Sequence, residues 1–166
     1  MKKGDKKKIG FTVIEVSLVI AIAGLIFMMV FVALPGLRAT QRDTERREDM
    51  MELVAAIKKF QQNNRGALPA TNSKWQSFFK DYQGNIHTDP IGEDYKLAVK
   101  NCSGTTVGEE CESTKDFEEK LFPNDYTITV VTQASCSGQK AIASSNPRKV
   151  AVLYVLESGG IYCGNT

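Results

Sequence analysis

Lys8–Leu37 reads KIGFTVIEVSLVIAIAGLIFMMVFVALPGL, and from Phe11 to Leu34 it offers 24 residues with Glu15 as the single charge. At about 1.5 Å per residue such a run makes a helix of roughly 36 Å, against a bilayer core of about 30 Å. A core helix of a small soluble domain keeps one polar face. This one has none, so the reading is a membrane-spanning helix. Lys2, Lys3, Lys6, Lys7 and Lys8 stand before it with only Asp5 among them, which sets the N-terminus on the cytoplasmic side. The run passes through Pro35-Gly36-Leu37 without the small-residue cleavage site of a secretory signal, so the helix is expected to stay in the mature chain. Glu15 is the anomaly, since a carboxylate inside an apolar span costs about 2.5–3.5 kcal/mol on insertion scales. No Lys, Arg or His lies between Ile9 and Leu37 to pair with it. Its partner is expected from outside the segment, or from a new amine made by cutting the chain.

The remainder of the 166 residues suits one modest domain. Formal charge is +2, but the leader alone carries +4, so everything after it is slightly acidic. A nucleic-acid binder spreads Lys and Arg along a groove or helix, often with aromatics between them, and this chain does neither. Collagen-like, coiled-coil-only and wholly disordered classes are excluded by composition.

The junction Lys8-Ile9-Gly10, followed by Phe11-Thr12-Val13-Ile14-Glu15-Val16, resembles the class III leader junction of type IV pilins and their pseudopilin relatives. It has a short basic leader ending in Gly, then Phe, then Glu five residues into the mature chain. The likeness is close over residues 6–37 and holds only in outline beyond. It implies cleavage by a prepilin peptidase between Gly10 and Phe11, N-methylation of Phe11, and pairing of the new amine with Glu15 of a neighbouring subunit during filament assembly. Members of the family commonly carry a Gly and a Pro in this region, here Gly24 and Pro35, and part of the helix between them can lose order in the filament.

Beyond Leu37 the chain turns amphipathic. Arg38, Arg42, Arg46 and Arg47 alternate with Asp43, Glu45, Glu48 and Asp49, with Arg42/Glu45 and Asp43/Arg47 at pairing distance on a helix. The alternating signs predict a solvated or subunit-contacting face. Met50, Leu53, Val54, Ile57 and Phe60 then form an apolar stripe that needs a sheet to cover it, and Asn63-Asn64-Arg65-Gly66 reads as the stop. The expected helix is Phe11–Asn64, about 80 Å if unbroken. The organisation expected is a leader over 1–10, a membrane and filament-core helix over 11–37, its amphipathic half over 38–64, and a head over 65–166.

Within the head, Ser73-x-x-Gln76 offers a capping box, and Trp75, Phe78, Phe79 and Tyr82 follow at helical spacing as core residues. Strands are expected at Tyr95–Val99, Tyr126–Thr132 and Lys149–Leu156, the last covered on both faces because its apolar residues occupy both parities. Asp89-Pro90-Ile91-Gly92-Glu93-Asp94-Tyr95 reads as a turn entering a strand. It resembles the Asp-Pro-x-Gly-x-x-Tyr element of the major pseudopilins of secretion systems. Its acids lack the alternating oxygen ligands of a known Ca²⁺ loop, so no metal is expected. Cys102, Cys111, Cys136 and Cys163 all follow the span, and an even number on the exported side implies two disulfides rather than zinc. Three connectivities are open. The expected one is Cys102–Cys111, closing a Gly- and Glu-rich loop, with Cys136–Cys163 pinning the C-terminal tail, the latter resembling the C-terminal disulfide-bounded region of pilins.

Nothing in the sequence suggests catalysis or a cofactor. His87 is the single histidine and stands in a loop-like stretch with no nucleophile close in sequence, no phosphate-cradling Gly-rich loop precedes a helix, and Asn101-Cys102-Ser103 is a sequon spoiled by its cysteine. The fold expected is α+β and pilin-like: a long N-terminal helix packed on a small antiparallel sheet with a disulfide-pinned C-terminal region. The resemblance implies a prepilin held in the cytoplasmic membrane as a single-pass protein and then built into an extracellular pilus for adhesion, twitching motility or DNA uptake. Its implied partners are copies of itself, the prepilin peptidase, a platform protein and an assembly ATPase. The alternative is a type II secretion pseudopilin of a short periplasmic filament. A third class, an enzyme or receptor ectodomain on a borrowed anchor, would keep its activity without residues 1–37.

Overall fold

A computed structural model describes residues 10–82, 88–114 and 126–166. The lysine-rich residues 1–9 and His87 lie outside them. The chain divides into two compact units, Met1–Arg38 and Ala39–Thr166.

Helix α1 spans Val13–Asn63, with Pro35 inside it, and contributes to both units. In the first unit it carries its apolar side chains uncovered, and none of its most apolar 18-residue window is buried. In the second unit Met50, Leu53, Val54 and Ile57 of the stripe predicted from sequence are buried, Phe60 is partly buried against them, and Ala56 joins them. The helix ends where the Asn-Asn-Arg-Gly signal stands. Arg65 takes a left-handed backbone (φ 56°), and the Gly66 N–H reaches back to the Gln61 carbonyl at 2.7 Å, the six-residue closure that satisfies a last-turn oxygen.

Helix α2, Asn72–Tyr82, starts one residue before the predicted box. Thr71, not Ser73, is its cap: the Thr71 hydroxyl accepts from the Lys74 N–H (3.3 Å) and its carbonyl from the Trp75 N–H (3.0 Å). Gln76 does not turn back to the helix start; its amide donates to the Leu97 carbonyl (3.0 Å) and ties the helix to the sheet. Trp75, Phe78 and Phe79 are buried, with Phe78 edge-on to both Phe60 and Trp75.

Six strands follow among the described residues: β1 (Lys96–Asn101), β2 (Thr127–Thr132), β3 (Ala134–Ser137), β4 (Lys140–Ala143), β5 (Val150–Val155) and β6 (Ile161–Asn165). The main sheet has order β1-β2-β5-β6. Pairs β2/β5 and β5/β6 are antiparallel, but β1 pairs with β2 in parallel, Leu97 opposite Ile128 and Val99 opposite Val130. The sheet is therefore mixed, where antiparallel pairing throughout was expected. Residues 102–126 connect β1 to β2, a connection long enough to return the chain to the same end, as a parallel pair requires.

Strand β5 is central and, as its doubled apolar pattern predicts, buried on both faces. Val150, Val152 and Tyr154 join Ile128 and Val130 against the helices, while Ala151 and Leu153 face the other way with Val131. That second face is covered by the β3–β4 hairpin and by the loop closed by Cys102–Cys111, whose residues Gly108–Cys111 hydrogen-bond along β4. The other disulfide, Cys136–Cys163, staples β3 to β6. In the chain-entropy account the two closures, spanning 9 and 27 residues, are worth about 2.5 and about 3.5 kcal/mol. A long N-terminal apolar helix, a small sheet and a disulfide-bonded C-terminal region together form a generic pilin-like architecture.

Candidate assembly segment and the polar anchor of the head

In the first unit the segment begins at Gly10 and Phe11, both exposed, and Phe11 is 87% accessible. The side chains along the helix from Val13 to Leu37 offer apolar surface on every side, Phe27, Met29, Phe31 and Val32 among them. A lipid phase or another apolar surface could cover it. Glu15 sits in the first turn. It has a partner inside the segment after all: the Thr12 N–H (3.0 Å) and the Thr12 hydroxyl (2.8 Å) both donate to its carboxylate, and the Glu15 N–H points back to the Thr12 oxygen (3.4 Å). This is a capping box, in which the two residues satisfy each other's free donors at a helix start. The pattern Thr-x-x-Glu stands in the sequence as the signal for it, whereas charge pairing alone points only to a cation. Thr12 is thus a second polar member of the segment. Hydrogen bonds reduce the burden of the carboxylate but leave its charge unneutralised.

The second unit holds a polar cluster that the sequence did not reveal. Arg46 is 1% exposed, and so are Asp43 and Asp89. Arg46 donates Nε to Asp89 Oδ2 (2.7 Å), Nη2 to Asp89 Oδ1 (3.0 Å), and Nη1 to both Asp43 (3.1 Å) and Glu157 (3.2 Å). The fork-on-fork contact with Asp89 is the strongest geometry open to a guanidinium. Asp43 in turn accepts the backbone N–H groups of Glu157 and Ser158, each at 2.8 Å, and so receives the turn between β5 and β6. Arg42 covers the outer edge, its Nε 2.8 Å from Glu157. The expected pairs Arg42/Glu45 and Asp43/Arg47 do not form, because Asp43 faces inward and Arg42 reaches a strand turn instead.

Two tyrosines close the cluster. Tyr154 donates to Asp89 (3.1 Å) and Tyr95 to Asp49 (2.8 Å), with the rings edge to face at 5.6 Å. Among the described residues no buried side-chain nitrogen or oxygen lacks a partner. The Asp89–Tyr95 turn is therefore part of the anchor. Asp89 is used by Arg46, its own turn amide (Ile91 N–H, 3.1 Å) and Tyr154, while Glu93 and Asp94 face solvent. Among the described residues no group of three or more His, Cys, Asp or Glu side chains is placed to hold a metal ion.

The electrostatics follow from the contacts. Burial works to raise the Asp43 carboxyl, but the hydrogen bonds from Ser158 and Glu157 and from Arg46 outweigh it and hold the group below its ordinary value. Glu157 is held low by the Arg42 hydrogen bond, against the opposing effect of burial and with the charges of Arg42 and Arg46 adding to it. Tyr95 and Tyr154 are pushed up, first by burial and then by the neighbouring Asp49 and Asp89 carboxylates. Arg46 is raised chiefly by its bond to Asp89, so it stays charged at any pH the fold survives.

The signal for this cluster lies in the helical period of the sequence. Carrying the apolar stripe of Met50, Leu53 and Ile57 backwards by helical steps of four and seven lands on Arg46 and Asp43, so these charges belong to the buried face. Comparison of the chain with protein-family models, with curated proteins and with solved structures finds no match.

Proposed function

We propose that this chain is the structural subunit of a type IV pilus-like filament. It would be cut after Gly10 by a prepilin peptidase, methylated on Phe11, held in the cytoplasmic membrane before assembly and polymerised through residues 11–37, in concert with a platform protein and an assembly ATPase. The observation that carries this reading is a segment that starts at Gly10-Phe11, carries a lone Glu15 and is apolar and uncovered along its helix from Val13 to Leu37, in a chain whose described residues beyond it form a small disulfide-bonded α+β head. Such a helix has two environments that cover it, lipid and a bundle of like helices, and passage from one to the other is the assembly step. A contact that is heterologous and does not close on itself then propagates as an open filament. Adhesion, twitching motility and DNA uptake are the uses this reading admits. The Asp89–Tyr95 turn supports a second reading, a pseudopilin of a short secretion filament, which would leave no long surface filaments.

Glu15 tests the mechanism. Glu15→Gln keeps an oxygen to cap the Thr12 N–H and removes the charge, whereas Glu15→Ala removes both. If the charge pairs with a neighbour's amine, both variants insert in the membrane and neither gives filaments by microscopy. Normal filaments from Glu15→Gln would leave capping as the only role of this residue.

A further inference from the structure

The described surface of the second unit holds a concentration of positive charge that its own fold does not use. A pocket of about 440 Å³ lies where the last turns of α1 meet the loop before β5; Lys58, Arg65, Arg148 and Lys149 line it, with Gln62 and Asn146 between them and no acidic side chain. Lys149 is occupied by the main-chain oxygen of Thr166. Arg148 folds its guanidinium over Gly66, whose missing side chain leaves the room. Gly66 has a positive φ of 82°, so the close approach and the turn both call for glycine there. Lys58, Arg65 and Arg148 have no ion pair among the described residues. Three free cations held around one concavity repel each other, and an anionic surface would relieve that repulsion.

The same unit carries the complement. Glu45, Glu48 and Glu52 are exposed on α1 at spacings of three and four, one ridge of the helix, and none of them is paired among the described residues. Glu52 and Lys58, the nearest acid and cation of the two, are six residues apart, about 9 Å along the helix and about 240° around it, so they lie on different faces of α1 and form no ion pair within the chain. No aromatic side chain lines the pocket to stack a base, which disfavours a single-stranded nucleic acid as its occupant.

We infer that the pocket formed by Lys58, Arg65 and Arg148 receives the Glu45–Glu48–Glu52 ridge of a second copy of this chain. Donor and acceptor surfaces differ, so the contact is head-to-tail and repeats without closing. The inference rests on the filament reading and adds to it a charged contact between heads that selects the partner and its register, while the apolar helices bury area.

The test uses the full chain in cells, with filaments sheared from the surface and counted by microscopy. Arg148→Glu should lower filament yield at least about tenfold by placing like charges together, and Glu48→Arg added to the same chain should restore it. Lys58→Glu should behave as Arg148→Glu does. A chain with both Glu48→Cys and Arg148→Cys should give a ladder of disulfide-linked multimers on a non-reducing gel, and neither single variant should. Full yield from Arg148→Glu together with no ladder from the double-cysteine chain overturns the contact and leaves the filament reading standing. Arg148-dependent retention on heparin with no ladder gives the pocket to a polyanion and overturns it equally. Absence of filaments from the unsubstituted chain is a different failure, that of the filament reading itself.

Discussion

Helix α1 does two different jobs along its length. In the first unit Ile20 is 65% exposed and so are its apolar neighbours to similar degrees; in the second, Ile57 is 0% exposed and packs against the sheet. The first stretch is apolar on every face and finds no cover in its own chain. The second is apolar on one face, and that face is covered by its own chain. The difference shows which part of the molecule is finished at the level of one subunit and which part needs another phase or another copy. It also explains why buried charge collects in the second stretch. There a guanidinium can be surrounded by carboxylates from three separate segments, whereas the first stretch provides Glu15 with nothing more than Thr12.

The sharpest way to break this comparison is to remove the charge that ties the second stretch to the head. Arg46→Ala strands Asp43 and Asp89 in a covered site, and the full chain in detergent should lose about 3–5 kcal/mol in denaturant unfolding. The lower end is expected, because the Arg42–Glu157 pair at the rim, its side chains 31% and 30% exposed, lets water relax into the gap. A loss below about 1 kcal/mol, the range of an exposed pair, would mean that the anchor contributes no more than a surface contact.

A smaller effect comes from making one substitution in both stretches. Ile57→Ala should cost about 2–4 kcal/mol of head stability through the cavity it leaves, and Ile20→Ala should leave head unfolding unchanged. Equal effects in the two variants would erase the distinction.

Smallest and most gradual is the response to acid. Asp43 and Glu157 have folded values below their ordinary 3.8 and 4.5. A lowered carboxyl adds stability above its unfolded value and loses it as pH falls through the folded one. The unfolding free energy of the full chain should therefore be flat on this account near neutrality and should decline as pH drops below about 4.5, and Asp43→Asn should flatten that decline. At the alkaline end the sign reverses. Raised Tyr95 and Tyr154 favour the folded state until pH climbs past their ordinary value of 10.0, so their ionisation should accompany unfolding rather than precede it.

What the sequence disclosed and what it hid divide along physical lines. The long apolar run needs only one kind of surrounding, so it was readable from composition; the β-branched runs that became β2 and β5 were readable for the same reason. The β3–β4 hairpin was not, because the residues it turns to the sheet, Ala134, Ala141 and Ala143, are small, and Ala134-Ser135-Cys136-Ser137 and Lys140-Ala141-Ile142-Ala143 carry little strand signal of their own. The parallel direction of β1 was hidden too, since alternation marks a face and not a direction. Arg46 is the most instructive miss. An arginine among alternating charges looks solvated, and only its place on the stripe of Met50 and Ile57 shows that it faces inward.

The most direct measurement is the intact mass and N-terminal sequence of the protein recovered from sheared cell-surface material. The account predicts a chain starting at N-methylated Phe11, lighter by residues 1–10 and by four hydrogens for the two disulfides. An uncut chain starting at Met1 and present only in the membrane fraction would contradict it and leave a membrane-anchored head in place of a filament subunit.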